Sequence, residues 1–509
     1  MKILEFFSKN QKLIIISCLL LAMLFFIDKA LGAGTLFIFF LATVSLFFVG
    51  RCKNPKEIKI ISMLFLVVFS LHILGVISIY YANFQPFSGG GGDYTIYQQN
   101  AELVAQRVGQ GNFSLQGIDF GNYFPVIVGY IYAFTIPVML VGQLFNAWLV
   151  ALLIILIYLI VRQIGGTEKE GFLTGLIAGV YPSLAFYGSL LLKDVIVALL
   201  CMIGLLLTLK IVKNFSFFTF LGFFVILTTL IHFRFYVGYA LMFGFIISWF
   251  LASNLNLKKR AVYGVMMIFI LGFAPQILGS GYYGFKNLKN YLTVEKITLY
   301  RELAFVPPHQ RPQPQVLPQP IPQPTPQPIP QPISQPTPQP IPQPTPAPTP
   351  KPAPEPQPKV EPQPESEASL SRGRSSSVVV KTGFENPITF VKNSSISFSN
   401  VFLGPFPWQL TKLSQLLVMT EVLAWYILMF FIVKGIMVFI KKKDMIILPL
   451  IIFSILVMGV LALFMSNFGI ITRIRMPAFL ALLCIFPFGF AKLEQLIAKI
   501  PILDKAFNP

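Results

Sequence analysis

Charge is scarce in this chain, and acidic charge is scarcest. Of 509 residues, 12% are charged and only 20 are Asp or Glu. Soluble globular domains carry about twice that share of charge, so that class is excluded. Cysteine is scarce too. Cys18, Cys201 and Cys484 lie inside apolar runs and Cys52 lies in a basic loop. This placement excludes a disulfide framework and a thiolate metal site. Histidine occurs at 72, 232 and 309, far apart in the chain. His72 sits within an apolar run and reads as a side chain hydrogen-bonded between helices; a metal role for His72 or His232 is the second reading. No phosphate-binding glycine loop, dinucleotide fingerprint, HExxH or CxxC occurs.

What is present is apolar. Hydrophobic residues make up 55% of the chain, and Phe alone contributes 51. This is the composition of an all-α polytopic membrane protein. The formal charge of +19 does not indicate nucleic acid, because the basic residues sit in short runs between apolar stretches. Anionic lipid headgroups are the partner such runs suit.

Apolar segments long enough to cross a bilayer (about 17–25 residues each) are read at 12–27, 33–50, 60–81, 142–161, 170–187, 195–211, 215–231, 236–253, 261–278, 413–434, 446–466 and 476–491. That gives about twelve spans. Residues 1–59 form an N-terminal hairpin and basic loop, read as retained rather than as a cleaved signal. Residues 60–300 form the core, 384–491 the C-terminal helices and 492–509 a tail. Lys and Arg crowd the loops after spans two, four, six, eight and ten, and the tail. The positive-inside rule puts that side in the cytoplasm, with both termini, and the loop at 82–141 outside.

Within that loop, Gly89–Gly92 precede Asp93, and Asp93 to Val104 has apolar positions at helical spacing. It reads as a helix lying in the interface plane. Val126–Val141 reads as a re-entrant or interfacial helix, or as half of a longer span. The second external loop opens with a helical pattern at Phe285–Leu303. It continues into a Pro-rich insert, 306–383, with proline at nearly every second position from Pro312 to Pro364. Such a tract forbids helix and sheet ladder and favours extended, disordered polyproline II chain, on the order of 150 Å long. It reads first as a neutral low-complexity expansion, and second as a tether or a ligand for a proline-recognising domain. Trp408 reads as an interfacial anchor.

The span interiors are nearly free of ionisable groups, which argues against an ion or proton pump. Polar residues gather at the outer ends instead. Asp93 opens the first loop. Lys193 and Asp194 end the turn between spans five and six. His232 and Arg234 join spans seven and eight. Glu421 lies near the outer end of span ten, and Arg473 and Arg475 precede the last span. This suits an enzyme acting on a lipid-linked sugar. A carboxylate takes the proton of an attacking hydroxyl, and cations hold the departing phosphate. Asp93 serves for the first; Lys193, Arg234, Arg473 and Arg475 serve for the second. Each cation also reads as a headgroup-binding side chain, and Asp93 as a helix N-cap.

At these residues the chain resembles the GT-C superfamily of integral-membrane, polyprenyl-phosphate-sugar-dependent glycosyltransferases. It looks nearest to the protein O-mannosyltransferases and the lipid A aminoarabinose transferases. The motifs are Asp93-x-x-x-Tyr97-x-x-x-Ala101, then Tyr181-Pro182 with Tyr187 and Leu-Leu-Leu-Lys193-Asp194, then Asn467-Phe-Gly469 with Arg473-x-Arg475-x-Pro477. The resemblance covers about 60–300 and 384–490. It implies a GT-C-like bundle, a catalytic base at Asp93, a second acidic contributor at Asp194 and Tyr97 in the substrate site. It implies an inverting transfer from a polyprenyl-phosphate sugar donor to a lipid, glycan or protein acceptor, at the outer face of a bacterial inner membrane. A divalent cation is compatible with the family and no other cofactor is implied. Tyr94 stands where many relatives have a second acid, which argues against a carboxylate pair for metal. The two spans before residue 60 are extra, and no large external domain follows the last span. A lipid-linked glycan flippase and an O-antigen polymerase or ligase are the alternative readings.

Overall fold

The computed structural model describes residues 22–52, 54–82, 93–115, 122–273, 284, 285, 288, 293, 386–409, 416–464 and 468–490. They fall within one compact unit; the other, 305–375, lies outside the described residues with the Pro-rich insert. Also outside are Gly89–Gly92, Asn467, most of the first expected span and nearly all of the Phe285–Leu303 pattern.

The described residues form helices and no strand. In chain order these are α1 (Lys29–Val49), α2 (Pro55–Ala82), α3 (Asp93–Gly109), α4 (Phe124–Phe134), α5 (Met139–Gln163), α6 (Glu168–Gly179), α7 (Pro182–Gly188), α8 (Asp194–Lys213) and α9 (Phe217–Phe233). There follow α10 (Phe235–Ala252), α11 (Leu257–Gly272), α12 (Pro387–Leu403), α13 (Leu416–Lys441), α14 (Leu448–Phe464), α15 (Phe468–Ile474), α16 (Met476–Leu483) and α17 (Phe486–Gly489). Six of them (α1, α2, α5, α8, α10 and α13) are long and apolar enough to cross a bilayer, or seven spans if α6 and α7 count as one bent crossing. These are the helices of a multi-pass membrane protein.

Helix α5 is the hub. It packs on α1, α2, α6 and α8, and its face is closed by Val150, Ile154, Ile157 and Val161, all fully buried. Helix α8 continues the core to α9 and α10, and α10 packs on α14. The paired helices α3 and α4 pack on each other at the end of the bundle. Gly129 on α4 permits this, because a Cβ there would meet Val104 side-chain atoms at 2.5 Å.

Two expected spans are not single rods. The stretch 170–187 breaks between Gly179 and Pro182, and its halves are bent by 62°. Proline lacks the N–H that would continue the ladder and disfavours helical backbone before it; Tyr181 is extended, with φ −61° and ψ 124°. The carbonyl of Gly179 accepts a hydrogen bond from His72 Nε2 at 3.0 Å. His72 is thus a side chain bonded between helices, in the tautomer that carries its proton on Nε2. The stretch 476–491 is likewise segmented, into α16 and α17, with Pro477 and Pro487 each near a helix start. Between α4 and α5 the chain breaks at Thr135–Val138, around Pro137, so Val126–Val141 holds most of α4, this loop and the first three residues of α5. Trp408 is largely exposed and stacks on Phe406.

Candidate functional site

Five helix ends meet at one place. Asp93 is the first residue of α3, where a carboxylate suits the positive end of the helix dipole. Asp194 is the first residue of α8 and Lys193 immediately precedes it. Arg234 is the single residue joining α9 to α10. Arg473 lies in the last turn of α15. Because α9 runs back alongside α8, a tight turn at Arg234 returns to the level of Asp194.

The ion pairs confirm the convergence. Arg473 Nη2 donates to Asp93 Oδ2 at 2.7 Å, and its Nε lies 3.6 Å from Asp194 Oδ2. Arg234 Nη2 pairs with Asp194 Oδ1, and Arg234 Nη1 donates to the Tyr236 hydroxyl at 2.7 Å. The two carboxylates differ sharply in access: the Asp93 side chain is 45% exposed and that of Asp194 is 3% exposed. Three cations (Lys193, Arg234, Arg473) face two carboxylates (Asp93, Asp194), leaving an excess of one positive charge. Asp194 Oδ2, Arg234 Nε and Arg473 Nε are buried without a hydrogen-bond partner. The 3.6 Å between Arg473 Nε and Asp194 Oδ2 is an ion-pair distance beyond hydrogen-bond reach.

The electrostatics follow from this packing. Burial and the neighbouring Arg234 push the Lys193 ammonium down to about 8, against the opposing pull of Asp194 and Asp93. Burial also works against charge on Arg473, but Asp194 and Asp93 outweigh it and raise its pKa. Arg234 behaves in the same way, with Asp194 as the main support. Burial, then Asp93 and Asp194, raise the Tyr97 phenol, which is a neutral donor at any physiological pH. Tyr97 lies one turn along α3 from Asp93 and packs edge-on against Phe124.

Of the residues named from sequence, Asp93, Tyr97, Lys193, Asp194, Arg234 and Arg473 come together. Arg475 does not join them. It is buried beside Glu421, 3.8 Å away, and donates to the carbonyls of Val401 and Gly404. His232 lies edge-on to Tyr123. Among the described residues no group of three or more His, Cys, Asp and Glu is placed to hold a metal. The donor set also does not fit a divalent cation, because both carboxylates are already engaged by guanidinium groups that would repel it.

Sequence reasoning missed the buried hydrogen bonds of Gln98. Its amide donates to Glu102 at 2.7 Å and accepts from the Tyr132 hydroxyl. The i, i+4 spacing of Gln98 and Glu102 was the available signal. They flank a groove of about 370 Å³ lined by Glu102, Gln106, Tyr132, Thr135 and Pro137, away from the charged cluster. Comparison of the chain with known family models and with curated proteins gives no match.

Proposed function

We propose that this protein is a membrane glycosyltransferase, moving a sugar from a polyprenyl-phosphate donor to an acceptor hydroxyl. The observation that carries the reading is the Arg473 bridge: one guanidinium spans an accessible carboxylate and a buried one. It is the arrangement expected where a general base and a phosphate-binding cation act on adjacent atoms.

In this reading Asp93 is the base, because it is the carboxylate an acceptor can reach. Asp194 is the buried counter-charge that holds Arg234 and Arg473. The acceptor oxygen attacks the anomeric carbon and its proton passes to Asp93. The bond from that carbon to the phosphate oxygen breaks, and its electron pair leaves with the phosphate. Lys193, Arg234 and Arg473 neutralise the charge that develops there. A single displacement inverts the anomeric centre. The neutral Tyr97 hydroxyl is a donor for the sugar or the phosphate.

The outward orientation, with both termini in the cytoplasm of a bacterial inner membrane, rests on the basic loops at the other end of the bundle. Two contacts tie those loops together: Lys56 to Glu168 at 3.1 Å, and the backbone N–H of Asn254 to the Val212 carbonyl at 3.2 Å. The GT-C resemblance agrees with the cluster in residue identity and adds the donor class.

The test uses membranes containing the native chain, supplied with labelled polyprenyl-phosphate sugar. Native protein forms a glycosidic product and folded Asp93→Asn does not. Full transfer by Asp93→Asn removes the base assignment. Translocation of the lipid with no new glycosidic bond favours a flippase instead.

A further inference from the structure

We propose that the buried Glu421–Arg475 pair is a positioning element for Arg473, and that it sets how tightly the site holds the donor phosphate. The inference rests on the reading of Arg473 as a phosphate-binding group.

Arg475 is 2% exposed and Glu421 is 5% exposed. Besides Glu421, the Arg475 guanidinium donates to Val401 O at 3.0 Å and to Gly404 O, and lies 4.6 Å from the Phe479 ring centroid. Phe479 stacks on Trp425 at 3.7 Å between centroids. Trp425 Nε1 donates to Phe402 O at 3.2 Å, and the Tyr426 hydroxyl to Leu403 O at 2.8 Å. The four carbonyls from Val401 to Gly404, the negative end of α12, are all taken by side chains of this network. Ser183 of α7 donates to Glu421 Oε2. Four elements therefore converge on Arg475: α7, α12, α13 and α16.

The link to Arg473 is geometric. The backbone stays helical through the junction of α15 and α16. The N–H of Arg475 bonds to Ile471 O at 2.9 Å, and the N–H of Phe479 bonds to Arg475 O at 3.0 Å. Positions two apart on a helix point about 200° away from each other. Arg473 and Arg475 accordingly face opposite ways, one to Asp93 and Asp194, the other to Glu421. Fixing the azimuth of Arg475 fixes that of Arg473. Next to it, Thr472 meets the Tyr187 hydroxyl at 3.1 Å, so the same turn is also held from α7.

Stability alone does not account for the pair. A buried ion pair is often no more stabilising than apolar side chains of the same volume. Placing a functional guanidinium is a task that apolar packing performs less sharply, because it has no fixed direction.

Glu421→Gln keeps the shape and the acceptor for Ser183 and removes the charge. The donor KM is expected to rise about tenfold, with a smaller change in kcat, and the rise is expected to vanish in an Arg473→Lys background. Equal, additive losses in both backgrounds overturn the proposal. A second readout does not need catalysis. In a Cys18→Ser, Cys52→Ser background, Asp93→Cys places a thiol beside Arg473, which lowers its pKa. The pH midpoint of its reaction with a methanethiosulfonate reagent reports where Arg473 stands. Adding Glu421→Gln, or the milder Ser183→Ala if that fails to fold, should raise the midpoint. An unmoved midpoint overturns positioning. A raised midpoint, together with no sugar transfer by the chain that keeps Asp93, keeps the positioning role and removes the glycosyltransferase reading.

Discussion

Asp93 and Arg473 are 380 positions apart in the chain and 2.7 Å apart in the fold. No local rule brings them together. The first opens a short amphipathic helix, and the second ends a seven-residue one near the C-terminus. Their contact requires both segments to dock at the same end of the bundle. Under the proposed function, a donor phosphate binding Arg473 would compete with Asp93 for it and so couple donor binding to release of the carboxylate.

Replacing Arg473 with Gln is therefore expected to affect both binding and chemistry. The loss in kcat/KM should be about 10²–10³-fold, as for removal of one preorganised charge-stabilising donor. Steady-state rates with labelled donor measure it. Retained folding is checked by size-exclusion behaviour in detergent.

Asp194→Asn should cost more stability than Asp93→Asn. Asp194 is almost wholly buried and serves two guanidinium groups, whereas Asp93 is half open to its surroundings. Uncoupling a buried pair costs about 3–5 kcal/mol, against about 0–1 kcal/mol for an exposed one. Thermal unfolding in detergent should show a clearly lower Tm for Asp194→Asn and little change for Asp93→Asn.

Lys193 gives a pH signature. Its pKa falls from 10.5 to about 8 in the folded chain. Between those values the unfolded chain binds more protons than the folded one, so folding stability rises with pH across that window. An anion has the opposite dependence, since it prefers the charged ammonium. Its affinity should fall as pH rises above about 8. Lys193→Met should flatten both curves, measured by thermal shift and by donor KM between pH 7 and pH 10.5.

His72→Phe tests the broken helix. The ring volume is kept, but the Gly179 carbonyl loses its donor. A buried acceptor left unsatisfied costs about 1–3 kcal/mol. The variant should unfold at lower temperature, while Asp93→Asn in the same assay should not.

Much of the site was legible because charge is rare here. In a chain with few acids, an Asp at a helix start stands out, and alternation of apolar runs puts Asp93, Asp194, Arg234 and Arg473 at one end. What alternation cannot supply is azimuth. Arg473 and Arg475 look equivalent as Arg-x-Arg, yet their helical spacing sends them to different neighbours. Only packing against α12 and α13 decides which faces the carboxylates. The bend was not read from the sequence, which took 170–187 as one span, although Pro182 was the available signal for the break. The Gln98 network was hidden because amides carry no charge and enter no motif.

The bend in α6–α7 has a consequence for bilayer thickness. Twelve residues of α6 rise about 18 Å, and the tilted α7 adds about 5 Å. The 28-residue α2 beside them rises about 42 Å. A hydrocarbon core is about 30 Å thick. Under the proposed function, lipid along this flank would thin toward the shorter crossing and lower its headgroups toward the loop that holds Lys193. A phosphate carried on a lipid would then reach Lys193, Arg234 and Arg473 by diffusing in the plane of the leaflet.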